Sequence, residues 1–251
     1  MASPYEGLSS DRWKAVTESL IADHPLSQAE ILDAVQVAWT NLWQSRIGNE
    51  KDGCTLAEVG PPATVVGAFF ERLLARELAS RYPGRWLPGA GSQKDLHFVP
   101  DERFSIELKT SGQAGFNIYG NRSYAQELQE GSVRKKDKSG YYITVNFHGQ
   151  ALTLVRFGWI DAGDWKSQRA STGQMAGLDK DVYQGKLAEL GGVYQLNAPA
   201  QLIKGVGPRV MSDLEGLEIL TILDLLEHDG ELPPRLAKLK EAAVEKYKGI
   251  R

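Results

Sequence analysis

Apolar residues recur at intervals of three and four in the first part of the chain, a spacing that predicts amphipathic helices. We expect one helix to be capped by Ser10 or Asp11 and a second by Ser27. A third helical stretch is predicted from about Val65 to Arg81, after the residues GPPAT. Its apolar stripe consists of Phe69, Phe70, Leu73, Leu74 and Leu78. The first part of the chain is therefore predicted to be mainly helical.

A different periodicity follows, because polar and apolar residues alternate as they do in a strand with one buried face. Between residues 103 and 109 every second side chain is apolar, so Glu107 and Lys109 share the polar face. A similar alternation covers residues 95–99, and the PDE sequence between the two stretches has the composition of a turn. Together they predict a hairpin that brings Asp95 beside Glu107. The plain alternative is an antiparallel sheet with one solvated face and no site.

The later part of the chain predicts more strands and then short helices. Two strands are expected at Tyr141–Phe147 and Ala151–Phe157, joined by the residues HGQ. Strands flanked by helices favour an α/β or α+β fold with a mixed sheet. The composition changes near ELGGVYQLNAPAQ, after which short helices are expected to the end. We therefore expect an N-terminal helical part (1–60), a core (61–195) and a small helical C-terminal domain (196–251).

Composition and charge narrow the class of protein. Of 251 residues, 42% are hydrophobic and 24% are charged, as in ordinary globular proteins. The net charge of −3 does not by itself indicate nucleic-acid binding, although Arg134, Lys135, Lys136 and Lys138 are bunched. No stretch approaches the roughly 20 apolar residues of a membrane span, and no signal peptide is recognisable. A cytoplasmic protein with no membrane partner is expected.

The sequence lacks the residue patterns of several common catalytic and binding sites. The four histidines are scattered and Cys54 is the single cysteine, which argues against a zinc site. The sequences G-x-S-x-G and the complete P-loop are absent. What remains is carboxylates with a lysine, a set that suits Mg²⁺-dependent attack on a phosphodiester. Asp95 and Glu107 can hold the ion, while Lys109 can orient the attacking water and neutralise transition-state charge.

The order of these residues resembles the PD-(D/E)xK nuclease core of type II restriction endonucleases. A helix with Glu71, the sequence GAGSQK, then Asp95 and the sequence IELK follow one another as in that family. The resemblance covers about Val65 to Phe157. The chain departs from the name-giving pattern at Lys94, where the pattern has proline.

The resemblance implies a role for each of these positions. Asp95 and Glu107 become ligands of Mg²⁺, and Lys109 becomes the residue that activates or positions water. Glu71 becomes an auxiliary acid that reaches a second metal or a bound water. The alternative for Glu71 is an exposed helix glutamate paired with Arg72 or Arg76.

A second resemblance lies near the C-terminus. The segment from Leu202 to Leu226 is similar to the helix-hairpin-helix motif of DNA repair and recombination proteins, in which a G-x-G turn joins two short helices. Gly205 and Gly207 allow a tight turn, and amides at the start of the next helix face a phosphate. Lys204 and Arg209 add positive charge. The alternative is a helical hairpin that binds no ligand.

Two polar segments have side chains that suit the reading of bases. Arginine can bond guanine, and asparagine or glutamine can bond adenine. The candidates are Asn121, Arg122, Tyr124 and Gln126 in GFNIYGNRSYAQ, with Arg169 and Gln174 in SQRASTGQMAG. Polar loops also have such residues without any role in binding.

The hypothesis is a type II restriction endonuclease, which cleaves both strands of a specific DNA sequence with Mg²⁺. It implies a homodimer on double-stranded DNA and a cognate DNA methyltransferase in the same host. The helices before Gly48, with Trp13, Trp39 and Trp43, are candidates for the dimer surface, although burial within the subunit explains these tryptophans equally well. The alternative function is a structure-specific nuclease of DNA repair or recombination. A binding module with a nuclease shape is a third hypothesis, against which the full set of Asp95, Glu107 and Lys109 argues.

Overall fold

The computed structural model describes residues 2–113, 115–121, 137–170 and 173–250, without the side chains of residues 168–170, 173 and 174. The chain forms two compact units. The first comprises Met1–Ser111, Asn117–Val145 and Val155–Leu190, and the second comprises Gly112–Phe116, Asn146–Leu154 and Gly191–Arg251. The division of the chain at residues 60 and 195 stays a prediction.

The described residues contain helices and strands throughout. The helices are α1 (Trp13–Ala22), α2 (Gln28–Gln44), α3 (Leu56–Val59), α4 (Ala63–Arg81), α5 (Lys180–Gly185), α6 (Pro208–Glu215), α7 (Ile222–Glu227) and α8 (Pro234–Lys246). The strands are β1 (Arg46–Ile47), β2 (Cys54–Thr55), β3 (Trp86–Pro88), β4 (Leu96–Phe98), β5 (Ile106–Ser111), β6 (Tyr119–Gly120), β7 (Gly140–His148), β8 (Ala151–Ile160), β9 (Trp165–Ala170), β10 (Gly173–Leu178) and β11 (Leu187–Glu189). Within the described ranges, no helix has the length and apolar character that crossing a membrane requires.

The N-terminal helices follow the predicted periodicity, with one wrong cap. Ser27 caps α2, because its side chain accepts a hydrogen bond from the Glu30 amide while Glu30 bonds back. The predicted cap at Ser10 or Asp11 is wrong, since residues 10–12 form a 3-10 turn that leads into α1 without a side-chain cap. Helix α4 begins two residues before the predicted start, and its buried stripe excludes Phe69, which is 49% exposed.

The tryptophans of the first helices pack within the subunit. The Trp39 side chain is buried and lies 5.3 Å from the Phe70 ring and 5.8 Å from the Trp43 ring, between centroids. Trp13 lies edge-on to Tyr5 at 5.9 Å. Aromatic contacts of this kind stabilise the helix layer of the subunit itself. A role of these tryptophans in a dimer stays a prediction.

A six-stranded sheet, most of whose residues belong to the first unit, confirms the predicted mixed α/β fold with flanking helices. Its strand order is β11-β8-β7-β5-β4-β3, and a separate three-stranded sheet has the order β6-β10-β9. The predicted strands near residues 141–147 and 151–157 are confirmed as β7 and β8. The hairpin of β4 and β5 is also confirmed, as an antiparallel pair.

The start of β5 differs from the prediction. The strand begins at Ile106 rather than Arg103, because residues 102–104 form a 3-10 turn. The Asp101 carboxylate accepts a hydrogen bond from the Arg103 amide and forms an ion pair with the Arg103 guanidinium. Such local side-chain bonds compete with strand pairing, so the alternating pattern extends further than the strand does.

The C-terminal residues form short helices around their own apolar cluster, as predicted. Its buried members are Leu196, Ala198, Ala200, Val210, Leu214, Ile219, Ile222, Leu225, Leu226, Leu236, Ala243 and Tyr247. Helix α7 is capped by Thr221, whose hydroxyl accepts from the Asp224 amide. Burial of one stripe on each helix accounts for the apolar spacing of this segment.

A buried histidine connects the loop after α1 to the aromatic core of the first unit. The His24 Nδ1 atom accepts from the Leu26 amide at 3.1 Å, so Nε2 is the nitrogen that donates to the Phe104 carbonyl, also at 3.1 Å. The ring lies against Tyr141 and Phe157 at 4.6 and 4.9 Å between centroids. Burial lowers the pKa of His24 below its ordinary value, although its two backbone partners oppose the shift.

We expect His24 to make the stability of the protein depend on pH. Below its ordinary pKa of 6.5 the unfolded chain binds a proton at His24 that the folded chain does not, so the free energy of unfolding falls as the solution is acidified from there. The slope from this one group reaches at most about 1.4 kcal/mol per pH unit. Urea unfolding of the wild type and of His24→Gln between neutral and mildly acidic pH measures it. A difference between the two proteins that stays constant with pH would contradict this assignment.

Candidate active site

Asp95 and Glu107 come together because of the register between β4 and β5. Leu96 pairs with Ile106 in the antiparallel ladder, and the next opposed positions are Asp95 and Glu107. The Asp95 Oδ2 atom accepts a hydrogen bond from the Leu108 amide at 2.9 Å. Asp95 and Glu107 are therefore neighbours across the strand pair, as predicted, and the side-chain bond of Asp95 adds to the ladder.

Lys109 lies between oxygens of its own strand. Its ammonium donates to Glu107 Oε1 at 2.7 Å and to the Leu108 carbonyl at 2.9 Å. Glu107 is only 3% exposed, so it does not belong to the solvated face that the plain alternative required. A buried carboxylate is costly unless a positive charge or hydrogen-bond donors compensate it. Lys109 supplies both to Glu107.

The backbone of Lys94 and Asp95 passes so close to residue 89 that only glycine fits there. The Gly89 amide donates to the Asp95 carbonyl at 2.9 Å. A Cβ at residue 89 would lie 1.8 Å from the Lys94 carbonyl oxygen, a distance that no side chain tolerates. Gly89 therefore allows β3 and the strand of Asp95 to approach each other closely.

The site offers donors that suit a hard divalent cation. Within the described parts of the chain, no group of three or more His, Cys, Asp or Glu side chains that could hold a metal ion is found. Mg²⁺ does not need one, because it is commonly bound by one or two carboxylates together with waters and substrate phosphates. The Glu107 carboxylate and the Leu108 carbonyl already surround a cation, the Lys109 ammonium. With Asp95 on the neighbouring strand, this donor set fits a divalent metal ion.

Glu71 lies on α4, whose Gly67 packs closely on β5. A Cβ at Gly67 would lie 2.4 Å from Thr110 Oγ1, and Glu71 follows Gly67 by one helical turn. Glu71 forms an ion pair with Arg72 at 3.6 Å, the arrangement expected if it is a surface glutamate. Its role as an auxiliary acid stays a prediction.

Three of the proposed base readers lie at one end of the small sheet. Arg169 of β9 and Gln174 of β10 occupy directly opposed register positions, and Asn121 follows β6 beyond the pair of Gly120 with Ala176. The side chains of Arg169 and Gln174, and the residues Arg122, Tyr124 and Gln126, lie outside the described part of the structure.

The C-terminal glycine turn is exposed and open. Gly205 has a φ of +97°, which favours glycine, and nothing lies within 4 Å of a Cβ built at Gly205 or Gly207. Lys204 and Arg209 are also exposed. The turn leads into α6, but a 3-10 turn of residues 200–202 stands before it where the motif has its first helix.

The backbone of Leu108 is the part of the site that the sequence did not reveal. Its amide fixes Asp95 and its carbonyl holds Lys109. Every residue type has these two groups, so no pattern of side chains can signal them. The register between two strands is what assigns them to a site.

Comparison with known proteins gives two matches to the same family. The family model of the ScaI restriction endonuclease matches residues 3–191. The type II restriction enzyme ScaI of Streptomyces caespitosus is 36% identical over 184 residues, which is 70% of this chain and 79% of the relative. The range matched by the family model includes β4 and β5 with Asp95, Glu107 and Lys109.

Proposed function

The chain belongs to the ScaI restriction endonuclease family, and from this premise we propose that the β4–β5 hairpin is the centre at which it hydrolyses DNA. It is a type II restriction enzyme, a site-specific deoxyribonuclease. The observation that carries the proposal is the set of Asp95, Glu107 and Lys109 on two neighbouring strands, fixed by the Leu108 backbone. Membership of this family favours restriction over the alternative of a repair or recombination nuclease.

Enzymes of this kind depend on a divalent metal ion, and we propose Mg²⁺ as that ion. When bound, it supplies Lewis-acid chemistry to the scissile phosphate. Asp95 and Glu107 are its proposed protein ligands, and their hard oxygens are the donors that Mg²⁺ prefers. The substrate phosphate itself completes such a site, so a pair of carboxylates suffices on the protein side.

Lys109 and Glu71 are proposed to act on the attacking water and on the charge of the transition state. Lys109 holds the attacking water near the phosphate and stabilises the negative charge that grows in the transition state. Its present bonds to Glu107 and Leu108 keep the ammonium inside the site at 2.7 and 2.9 Å from these oxygens. Glu71 is proposed as an auxiliary acid with a smaller contribution.

Base reading is proposed for the small sheet and the segment after β6. A two-stranded ribbon fits the major groove of B-DNA, and β9 with β10 forms such a ribbon. The opposed positions of Arg169 and Gln174 near its tip support their role as readers, together with Asn121, Arg122, Tyr124 and Gln126.

Phosphate binding is proposed for the exposed turn at residues 204–209. Exposed Lys204 and Arg209 flank an open glycine turn at the start of α6, where helix amides have no partners within the helix. Gly205 and Gly207 leave room for close approach of a phosphate. Contacts of this type position a protein on DNA without specifying a sequence.

The further partners follow from the reaction. We propose a homodimer on double-stranded DNA, because one hydrolytic centre per chain must cut two strands of opposite polarity. We also propose a cognate DNA methyltransferase in the same host, which protects the host's own sites, and a cytoplasmic location beside that DNA.

Loss of a metal ligand or of the lysine should abolish cleavage without unfolding the protein. We expect Asp95→Asn, Glu107→Gln and Lys109→Met each to lower kcat by about a hundredfold or more, since each removes charge that acts in the transition state. Asparagine keeps an oxygen for the Leu108 amide, so the hairpin should stay folded. Glu71→Gln should have a milder effect. Single-turnover cleavage of a duplex at saturating Mg²⁺ measures each rate.

Glu102→Gln is the matched control for these variants. Glu102 is an exposed acid in the turn of the same hairpin, and we expect its substitution to leave the rate unchanged. Wild-type turnover by Asp95→Asn, Glu107→Gln or Lys109→Met would refute the assigned centre.

Substitutions in the glycine turn should weaken binding to every duplex alike. Arg209→Ala should flatten the salt dependence of log K by about one unit, because one phosphate contact is lost. Gly205→Val should weaken binding because valine strains a left-handed backbone position. Arg235→Ala, an exposed arginine on α8, is the control and should change neither. A changed cleavage site with an unchanged salt slope would mean instead that the turn reads bases.

A dimer should cut a site with two-fold symmetry. Two copies related by a dyad apply the same reading residues to both half-sites, so the preferred DNA should be palindromic or an interrupted palindrome. Light scattering of the free protein and of its complex with uncleaved duplex, with mapping of the cut ends, tests this. A monomer in both states, or cleavage sites without a dyad, would disprove it.

A further inference from the structure

Lys94 is a buried lysine directly before Asp95. Its side chain is 7% exposed, and its ammonium donates to the Asp137 carbonyl at 3.0 Å. The same ammonium lies 5.6 Å from the centre of the Tyr142 ring. Burial of an ammonium is costly, and the carbonyl and the ring face offset part of that cost.

The chain around residues 137–142 is shaped to receive this side chain. Gly140 has a φ of +142°, and a Cβ there would lie 2.6 Å from the Lys94 Cε atom. The Tyr142 hydroxyl donates to the Lys138 carbonyl at 2.6 Å, which fixes the ring under the ammonium. The aliphatic stem, the ring and the carbonyl therefore hold the tip of Lys94 in one position.

The backbone at Lys94 is held from its other side as well. Gly89 lies against the Lys94 carbonyl, and the Gly89 amide donates to the Asp95 carbonyl at 2.9 Å. Beyond it, the Leu108 amide bonds the Asp95 carboxylate at 2.9 Å. The hydrogen bond from the Lys94 ammonium to the Asp137 carbonyl links the residue before Asp95 to the segment that precedes β7.

We infer that Lys94 is a positioning residue for Asp95, which fixes the backbone so that the carboxylate is directed at the metal ion. This inference rests on the proposed role of Asp95 as a metal ligand. Groups that orient metal ligands from behind commonly change metal affinity by about 10- to 100-fold when removed. Lys94 itself does not touch the ion or the substrate.

The test is the Mn²⁺ affinity of the free protein, measured by calorimetry for the wild type and for Lys94→Met. Methionine fills the same space without the charge or the donor. We expect the Kd for Mn²⁺ to rise by about tenfold. In steady-state cleavage with Mg²⁺, kcat should fall while the KM for DNA stays within about twofold of wild type, since the DNA contacts are not altered.

Lys186→Met is the matched control. Lys186 is 3% exposed, its ammonium is paired with Asp161 and Asp164 at 2.8 Å, and it lies over the Tyr5 and Trp13 rings. It precedes β11, at the opposite edge of the sheet from β3. Its loss should lower the melting temperature without changing the Kd for Mn²⁺. An equal rise of this Kd in both variants would mean that Lys94 acts only through the overall stability of the protein, and would overturn the inference.

Asp95→Asn distinguishes failure of the proposed metal site from failure of the positioning role of Lys94. If Asp95→Asn binds Mn²⁺ as the wild type does, the proposed metal site fails. If Asp95→Asn loses Mn²⁺ and Lys94→Met does not, the inference about Lys94 alone fails. Should Lys94→Met not fold by circular dichroism, Lys94→Leu, which also removes the charge and the donor, takes its place with the same expected rise of the Kd. Failure of both variants to fold would make Lys94 a core residue and overturn the inference.

Discussion

The hydrogen bond from the Leu108 amide to the Asp95 carboxylate is the contact on which the arrangement of the site depends. Strand register alone brings Asp95 opposite Glu107, but a slip of one residue would turn every side chain of β5 to the other face. The side-chain bond at 2.9 Å adds to the ladder and stabilises the observed register. The Asp95 carboxylate thus belongs both to the proposed metal site and to the pairing of β4 with β5.

Charge burial is the second constraint, and lysines satisfy it in two different ways. Lys109 bonds the buried Glu107 across one residue of its own strand, so the pair is local and needs only the strand. Lys94 bonds a carbonyl far along the chain, at Asp137, and requires the fold to be complete. Where the resembled nuclease pattern restricts the backbone before the aspartate with a proline ring, this chain has a side chain anchored at its tip.

The sequence predicted those parts of the structure that depend on local periodicity. The capping residue of α2, the extent of α4, strands β7 and β8 and the proximity of Asp95 to Glu107 all follow from spacing. The start of β5 does not, because the Asp101–Arg103 bonds are a local competitor that a periodic pattern ignores. Strand β10 was not predicted, since GQMAGL has small residues in place of an alternation. Burial of Glu107 and exposure of Phe69 depend on neighbouring elements, which spacing cannot describe.

The loop that follows β5 bears on how far the C-terminal helices are independent of the rest of the chain. Gly112–Phe116 follows β5 directly but belongs to the second unit, where the Lys246 ammonium lies 5.7 Å from the Phe116 ring and Asn146 bonds the Gly115 carbonyl. The family match ends at residue 191, so one partner of the Phe116 contact is encoded beyond it. An exchange of the C-terminal helices alone between relatives would therefore separate the two partners of the Phe116 contact, unless the acceptor chain had a matching loop after β5.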